Sequence, residues 1–233
     1  MLSVCLAVLC IALSLGTLAF LVRIAYSRRR FHLYAAAKAA ASAAFLVTAA
    51  AGLTVRGAPA GPVWLLLAGL VLCFAGDVLL GLANVHADYF GRFFAAGAAA
   101  FCAAHLVFCT LFARLQPLSP LHMVLPAVLV MALVPCARDT RRFRLRRMKY
   151  PALVYTFCVG LMCALSVSLG LRDPGPAGVL AAAGGVLFLF SDATLLFLYF
   201  YHKKRAMLRA ANLVSYYLGM LCLAFLTWTG LPG

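Results

Sequence analysis

Eight long apolar runs, separated by short polar or basic breaks, make up nearly the whole chain. They extend over Met1 to Val22, Leu33 to Leu53, Pro62 to Leu82, Phe90 to Leu115, Leu121 to Cys136, Tyr150 to Leu171, Gly178 to Tyr201 and Ala211 to Trp228. A helix rises about 1.5 Å per residue, so a run of about 20 apolar residues matches the hydrocarbon layer of a bilayer. Each run therefore predicts a membrane-spanning helix. The fifth is the shortest: it is bounded by Pro120 and Pro135 and carries Pro126, which predicts a kink or a small tilt. The first has no basic leader and is followed at once by Arg23 and Arg28 to Arg30, so it reads as a retained span. The expected fold class is all-α: a polytopic membrane helix bundle of eight transmembrane helices, one integral membrane domain over residues 1–233.

Composition agrees, since 66% hydrophobic residues and a mean hydropathy of +1.04 do not belong to a soluble domain of 233 residues. The acids then stand out. There are five, all aspartate, and two fall inside apolar runs: Asp77 in LLLAGLVLCFAGDVLLGL and Asp192 in the seventh run, preceded by GGVLFLFSD. Hydrocarbon offers a carboxylate no water, so an ionisable side chain at such depth is a functional-site candidate. The two acid-bearing runs resemble each other and stand four spans apart, which suggests a parallel 4+4 repeat with a site between the halves. Nine cysteines without a C-x-x-C pair, most of them in mid-span, imply neither a disulfide framework nor a zinc site.

The net charge of +15 does not point to nucleic acid, because the basic residues cluster in short connections, where they set topology and attract anionic lipid. Sixteen of the twenty lysines and arginines lie in the first, third, fifth and seventh connections; Arg56, Arg114 and Arg172 lie in the others, and Lys38 is inside the second span. This bias predicts a cytoplasmic location for the odd connections and non-cytoplasmic termini. The strip from Ala137 to Lys149 is expected to lie on lipid head groups. Counted at about 1.5 Å per residue from the cytoplasmic helix ends, Lys38, Asp77, Tyr155, Asp192, Tyr216 and Tyr217 fall about 7 to 15 Å deep. They share one layer, as a cavity opening to the inner leaflet would require. His105 falls about 20 Å deep, on the floor of such a cavity or outside it.

Each residue also has a plainer reading. The aspartates could form a structural ion pair with Lys38 or, protonated, a bond between helices, and Lys38 could instead snorkel to the interface. Tyr155, Tyr216 and Tyr217 could belong to an interfacial aromatic belt, His105 could be a packing residue, and Ser191 could bond back to its own helix. Gly76, Gly81, Gly184 and Gly185 are expected to permit close helix packing.

An ordered set of residues resembles the YhhN-like integral membrane proteins, which include the lysoplasmalogenases. The set runs through Lys38 early in the second span, Gly76-Asp77 with Leu80 in the third, and Gly97, Phe101 and His105 in the fourth. Tyr155 in the sixth, Ser191-Asp192 with Leu195 in the seventh, and Tyr216-Tyr217 in the last complete it. Two positions depart from the pattern: Ala39 stands where a proline is usual and Met220 where a polar residue is expected. The resemblance implies hydrolysis of the vinyl ether bond of a lysoplasmalogen to a fatty aldehyde and a glycerophospho-alcohol. It implies no cofactor and no metal, a lysophospholipid substrate drawn from the bilayer, and a bacterial cytoplasmic membrane or an endoplasmic reticulum as the location. It leaves the oligomeric state open. Asp77 and Asp192 would act as acid and base, with Lys38, Tyr155, Ser191, Tyr216, Tyr217 and His105 in binding or supporting roles.

Other classes compete. A proton-coupled small-molecule transporter would also bury two aspartates and a lysine. An intramembrane aspartyl protease would use paired aspartates but wants glycine where Phe74 stands, and a metal hydrolase would want more than one histidine. A non-catalytic lipid sensor is the blandest of the set.

Overall fold

The computed structural model of the chain describes residues 1–57, 61–139, 141–145, 148–202 and 206–231. Eight α-helices account for most of them: α1 (Leu2–Tyr26), α2 (Tyr34–Arg56), α3 (Val63–Val85), α4 (Phe90–Arg114), α5 (Val124–Arg138), α6 (Lys149–Arg172), α7 (Pro176–Phe200) and α8 (Ala206–Thr229). Eight segments are long and apolar enough to cross a membrane. The helices coincide with the eight apolar runs and overrun most of their ends, because a backbone leaving lipid keeps its hydrogen bonds internal until it reaches water.

Six helices close into a ring in which neighbours pack in the order α2, α3, α4, α6, α7, α8 and back to α2. Outside it, α1 lies mainly on α2 and α5 on α6, and these two are the most exposed of the eight. Within the ring the tightest approaches run through glycine. A Cβ on Gly97 would sit 3.1 Å from Leu80 and 3.2 Å from the Gly76 carbonyl oxygen, and one on Gly219 would sit 3.1 Å from the Gly184 carbonyl oxygen. The pairs α3/α4 and α7/α8 therefore meet backbone to backbone, with van der Waals contact in place of a hydrophobic drive. Gly81 likewise faces the Ala35 backbone, at 3.0 Å from its Cα. Gly97→Val should force α3 and α4 apart and lower stability by about 1–3 kcal/mol, as overpacking does, measured by SDS-induced unfolding in mixed micelles.

Two expectations gain detail. Pro126 is the third residue of α5, directly after a 3-10 turn at Pro120–Met123, so its missing N–H falls in the first turn of the helix. Pro135 is the proline within the helix, close to its end. The basic strip after α5 does not simply lie on the surface. Phe143 forms an isolated antiparallel bridge with Tyr201, Arg144 N–H donates to the Phe200 carbonyl at 2.9 Å, and Phe143 and Leu145 are buried. Arg141, Arg142 and Arg144 point outward, so this part of the strip is docked onto the end of α7 with these three cations exposed. Arg146, Arg147, Lys203, Lys204 and Arg205, which contribute to the charge bias, lie outside the described residues.

Candidate active site

Each of the six ring helices sends at least one residue to the centre: Lys38 from α2, Asp77 from α3, His105 from α4, Tyr155 from α6, Asp192 from α7 and Tyr216 from α8. They form two clusters.

The first surrounds Asp77, which is completely buried. Its Oδ1 receives the Lys38 ammonium. Its Oδ2 accepts from the Tyr216 hydroxyl at 2.7 Å and from the Ser42 hydroxyl at 2.6 Å. Ser42 lies one turn after Lys38, so α2 presents both to the same carboxylate. Tyr217 stands behind, 3.0 Å from Ser42 and 3.2 Å from the Lys38 carbonyl that its hydroxyl reaches. Lys38 thus points into the ring and does not snorkel. Tyr216 and Tyr217 are buried core residues, not belt residues. Every partner of Asp77 is a donor, which suits an ionised, acceptor-only carboxylate.

The second cluster surrounds Asp192, whose side chain is mostly buried. The Tyr155 hydroxyl donates to Oδ2 at 3.0 Å and His105 Nε2 lies 3.3 Å from the same oxygen. Nε2 is also 3.2 Å from the Tyr155 hydroxyl, and the other ring nitrogen faces Met162 Sδ at 3.3 Å. Depth counting put His105 on a cavity floor or outside, and its ring lies directly against Asp192. Phe90 packs against Tyr199, so α4 and α7 are counted from one layer, and His105, held against Met162 and Phe188, reaches Asp192 with its ring from the deeper side.

A small cavity joins the clusters. Asp77, Asp192, Lys38, Ser191, Asn212 and Tyr216 give it polar walls, and Leu80, Phe101, Leu195 and Leu213 apolar ones. Its interior is about 10 Å³, the room of about one water. The aspartates therefore face one shared space without a wide passage between them. Ser191 does not merely bond to its own helix: its hydroxyl accepts from the Asn212 amide at 2.9 Å and lies 3.3 Å from the Asn212 carbonyl, tying α7 to α8.

The family model for the YhhN family matches residues 33–227. The chain belongs to the YhhN family. No curated protein and no solved structure matches it. The YhhN region begins just before α2 and ends within α8, so every residue of both clusters lies inside it, whereas α1 lies outside. Of the residues with which the resemblance was argued, Gly76, Gly97 and Leu80 make the α3/α4 contact, and Phe101 and Leu195 wall the cavity. Met220 is buried in the core.

Two residues of the site were not singled out from the sequence. Ser42 carried a weak signal, one turn from Lys38 on the same face of α2. Asn212 carried a similar one, one turn from Tyr216 on α8. Small polar residues in apolar helices usually satisfy themselves on the preceding turn, and Ser42 does approach the Lys38 carbonyl at 3.0 Å. With a single proton, its hydroxyl serves Asp77 at the shorter distance.

Proposed function

We propose that the chain hydrolyses the vinyl ether bond of lysoplasmalogens, giving a fatty aldehyde and a glycerophospho-alcohol. One observation carries the reading: two carboxyl groups with unlike partners share one water-sized cavity, Asp77 with a cation and hydroxyl donors, Asp192 with a phenol and an imidazole.

The unlike partners divide the roles. Asp77, matched by Lys38, is the ionised base. Asp192 has its two neighbours on Oδ2, which leaves Oδ1 to present a proton, and it takes the part of the acid. In the first step that proton passes to the β-carbon of the vinyl ether. The C=C electron pair forms the new C–H bond, and the positive charge is shared by the α-carbon and the ether oxygen. The Asp77 carboxylate steadies this cation and takes a proton from the water that attacks the α-carbon. The resulting hemiacetal returns its hydroxyl proton to Asp192. Its bond to the glycerol oxygen breaks as Asp77 gives its proton to that oxygen, and both acids are restored. Tyr216 and Ser42 fix the Asp77 carboxylate; Tyr155 and His105 fix that of Asp192.

The bias of basic residues supports placing the odd connections in the cytoplasm, with the lipid chain among the apolar side chains of the ring and the head group toward that side. The recurrence of helix neighbours four positions on, α2–α3–α4 against α6–α7–α8, supports a parallel duplication.

The reading is tested by incubating the purified, detergent-solubilised protein with an alkenyl lysophospholipid in D2O. The expected products are equal amounts of aldehyde and glycerophospho-alcohol, with one deuterium on the carbon next to the aldehyde. No aldehyde from folded protein would sink the proposal and turn attention to a proton-coupled carrier, for which the assay is uptake into proteoliposomes.

A further inference from the structure

A second polar layer lies above the aspartates, on the side of the basic connections. Seven residues, two turns, separate Asp77 from Asn84 on α3, Asp192 from Tyr199 on α7 and Tyr216 from Arg209 on α8. At about 1.5 Å per residue each step is about 10 Å, and all three run toward the same face. Two of the residues at the ends of these steps meet: the Asn84 amide donates to the Tyr199 hydroxyl at 2.7 Å. The Phe31 ring under the Arg209 guanidinium stacks on Tyr34 at 5.2 Å.

Arg209 is the odd member. It is half-buried, its Nη1 donates to the Ala25 carbonyl at 2.8 Å, and its guanidinium lies 5.7 Å over the Phe31 ring. The fork is therefore held in place from the α1 side. Yet the ion pairs among the described residues are Lys38 with Asp77, His105 with Asp192 and Arg142 with Asp139, and none involves Arg209. A preorganised guanidinium with donors to spare and no carboxylate beside it is suited to a phosphate, which its planar fork can meet with two hydrogen bonds. The vinyl ether and the phosphate of a lysoplasmalogen sit at opposite ends of its glycerol. A vinyl ether between the aspartates would thus send its phosphate toward this layer.

We propose that Arg209, with the Asn84–Tyr199 pair in the same layer, binds the phosphate of the lysophospholipid and so selects phosphate-bearing ethers over neutral alkenylglycerols. The assignment rests on the hydrolase reading given above. A purely structural role for Arg209, capping the last turn of α1, would make its loss indifferent to the ligand.

Two measurements separate these possibilities. The first is thermal stabilisation of the purified protein by a 1-O-alkyl lysophospholipid, a saturated ether that cannot be hydrolysed by this route, against 1-O-alkylglycerol. Wild type should bind the phosphate-bearing ligand at least tenfold more tightly, and Arg209→Gln should lose about tenfold of that affinity difference, the worth of one charge-assisted hydrogen bond. The second is the ratio of kcat/KM for alkenyl lysophospholipid over alkenylglycerol, which should fall about tenfold in Arg209→Gln on the same basis. Tyr199→Phe, which removes only a hydroxyl, should shift both readouts in the same direction and serves if Arg209→Gln does not fold. Equal losses for both ligands, or no preference for phosphate in wild type, would overturn the proposal. Binding of the alkyl lysophospholipid without any aldehyde release would keep the phosphate site and overturn the hydrolase reading instead.

Discussion

Asp192→Asn should lower kcat for aldehyde release by about 10²- to 10⁴-fold, the contribution of a positioned general acid. Asparagine has nearly the same shape and still accepts the Tyr155 hydroxyl, but it has no proton to transfer to carbon. Because the proposed ground state of Asp192 is uncharged, the exchange replaces one neutral group by another. Stability should then stay within about 1 kcal/mol of wild type, as for a substitution that leaves no buried polar group stranded. Asp77→Asn should differ: activity falls, and so does stability, because Lys38 remains buried without its anion. Aldehyde release and SDS-induced unfolding on the same preparations give both quantities. Asp192→Asn retaining more than a tenth of wild-type kcat, or losing as much stability as Asp77→Asn, would remove Asp192 from the acid's role.

Lys38→Met should be the most destabilising single change at the site, by about 3–5 kcal/mol, the cost of breaking a buried ion pair by removing one partner. The methionine fills much of the lysine's space, so the loss reports the stranded Asp77 carboxylate rather than a void. The double variant Lys38→Met/Asp77→Leu should recover most of that stability while remaining inactive, since no charge is then left unmatched. Losses that simply add would show that the two residues are not coupled.

Much of the fold was legible because hydrocarbon leaves a backbone few options, and eight apolar runs of spanning length became eight helices in the same places. Asp77 and Asp192 were legible for the same reason, since an acid in such a run is conspicuous. Pairings were not. Run lengths and depths say that Lys38 and Asp77 lie at one level but not that α2 and α3 are turned to bring them together, and they allowed Lys38 to snorkel. Depth counting placed His105 below the other site residues, where Met162 and Phe188 meet it, but a depth alone does not say that its ring reaches back to Asp192. The strip Arg142-Phe143-Arg144-Leu145 had a readable pattern of alternating cations and apolar residues, the period of an extended segment. Its charge drew the reading to the lipid surface, while Phe143 and Leu145 hold it to α7.

Each central acid finds its first partners on the helix made just before its own: Lys38 and Ser42 on α2 precede Asp77 on α3, and Tyr155 on α6 precedes Asp192 on α7. A lone acid at the centre of an inserting helix costs about 2.5–3.5 kcal/mol. A nascent helical hairpin that already holds the matching cation or phenol can shelter that acid while the rest of the chain is still on the ribosome. The second partners, Tyr216 for Asp77 and His105 for Asp192, cross from the opposite half and arrive only when the two halves meet. Biogenesis can thus proceed hairpin by hairpin, with the two clusters brought to their shared cavity only at its last step, when α8 closes the ring.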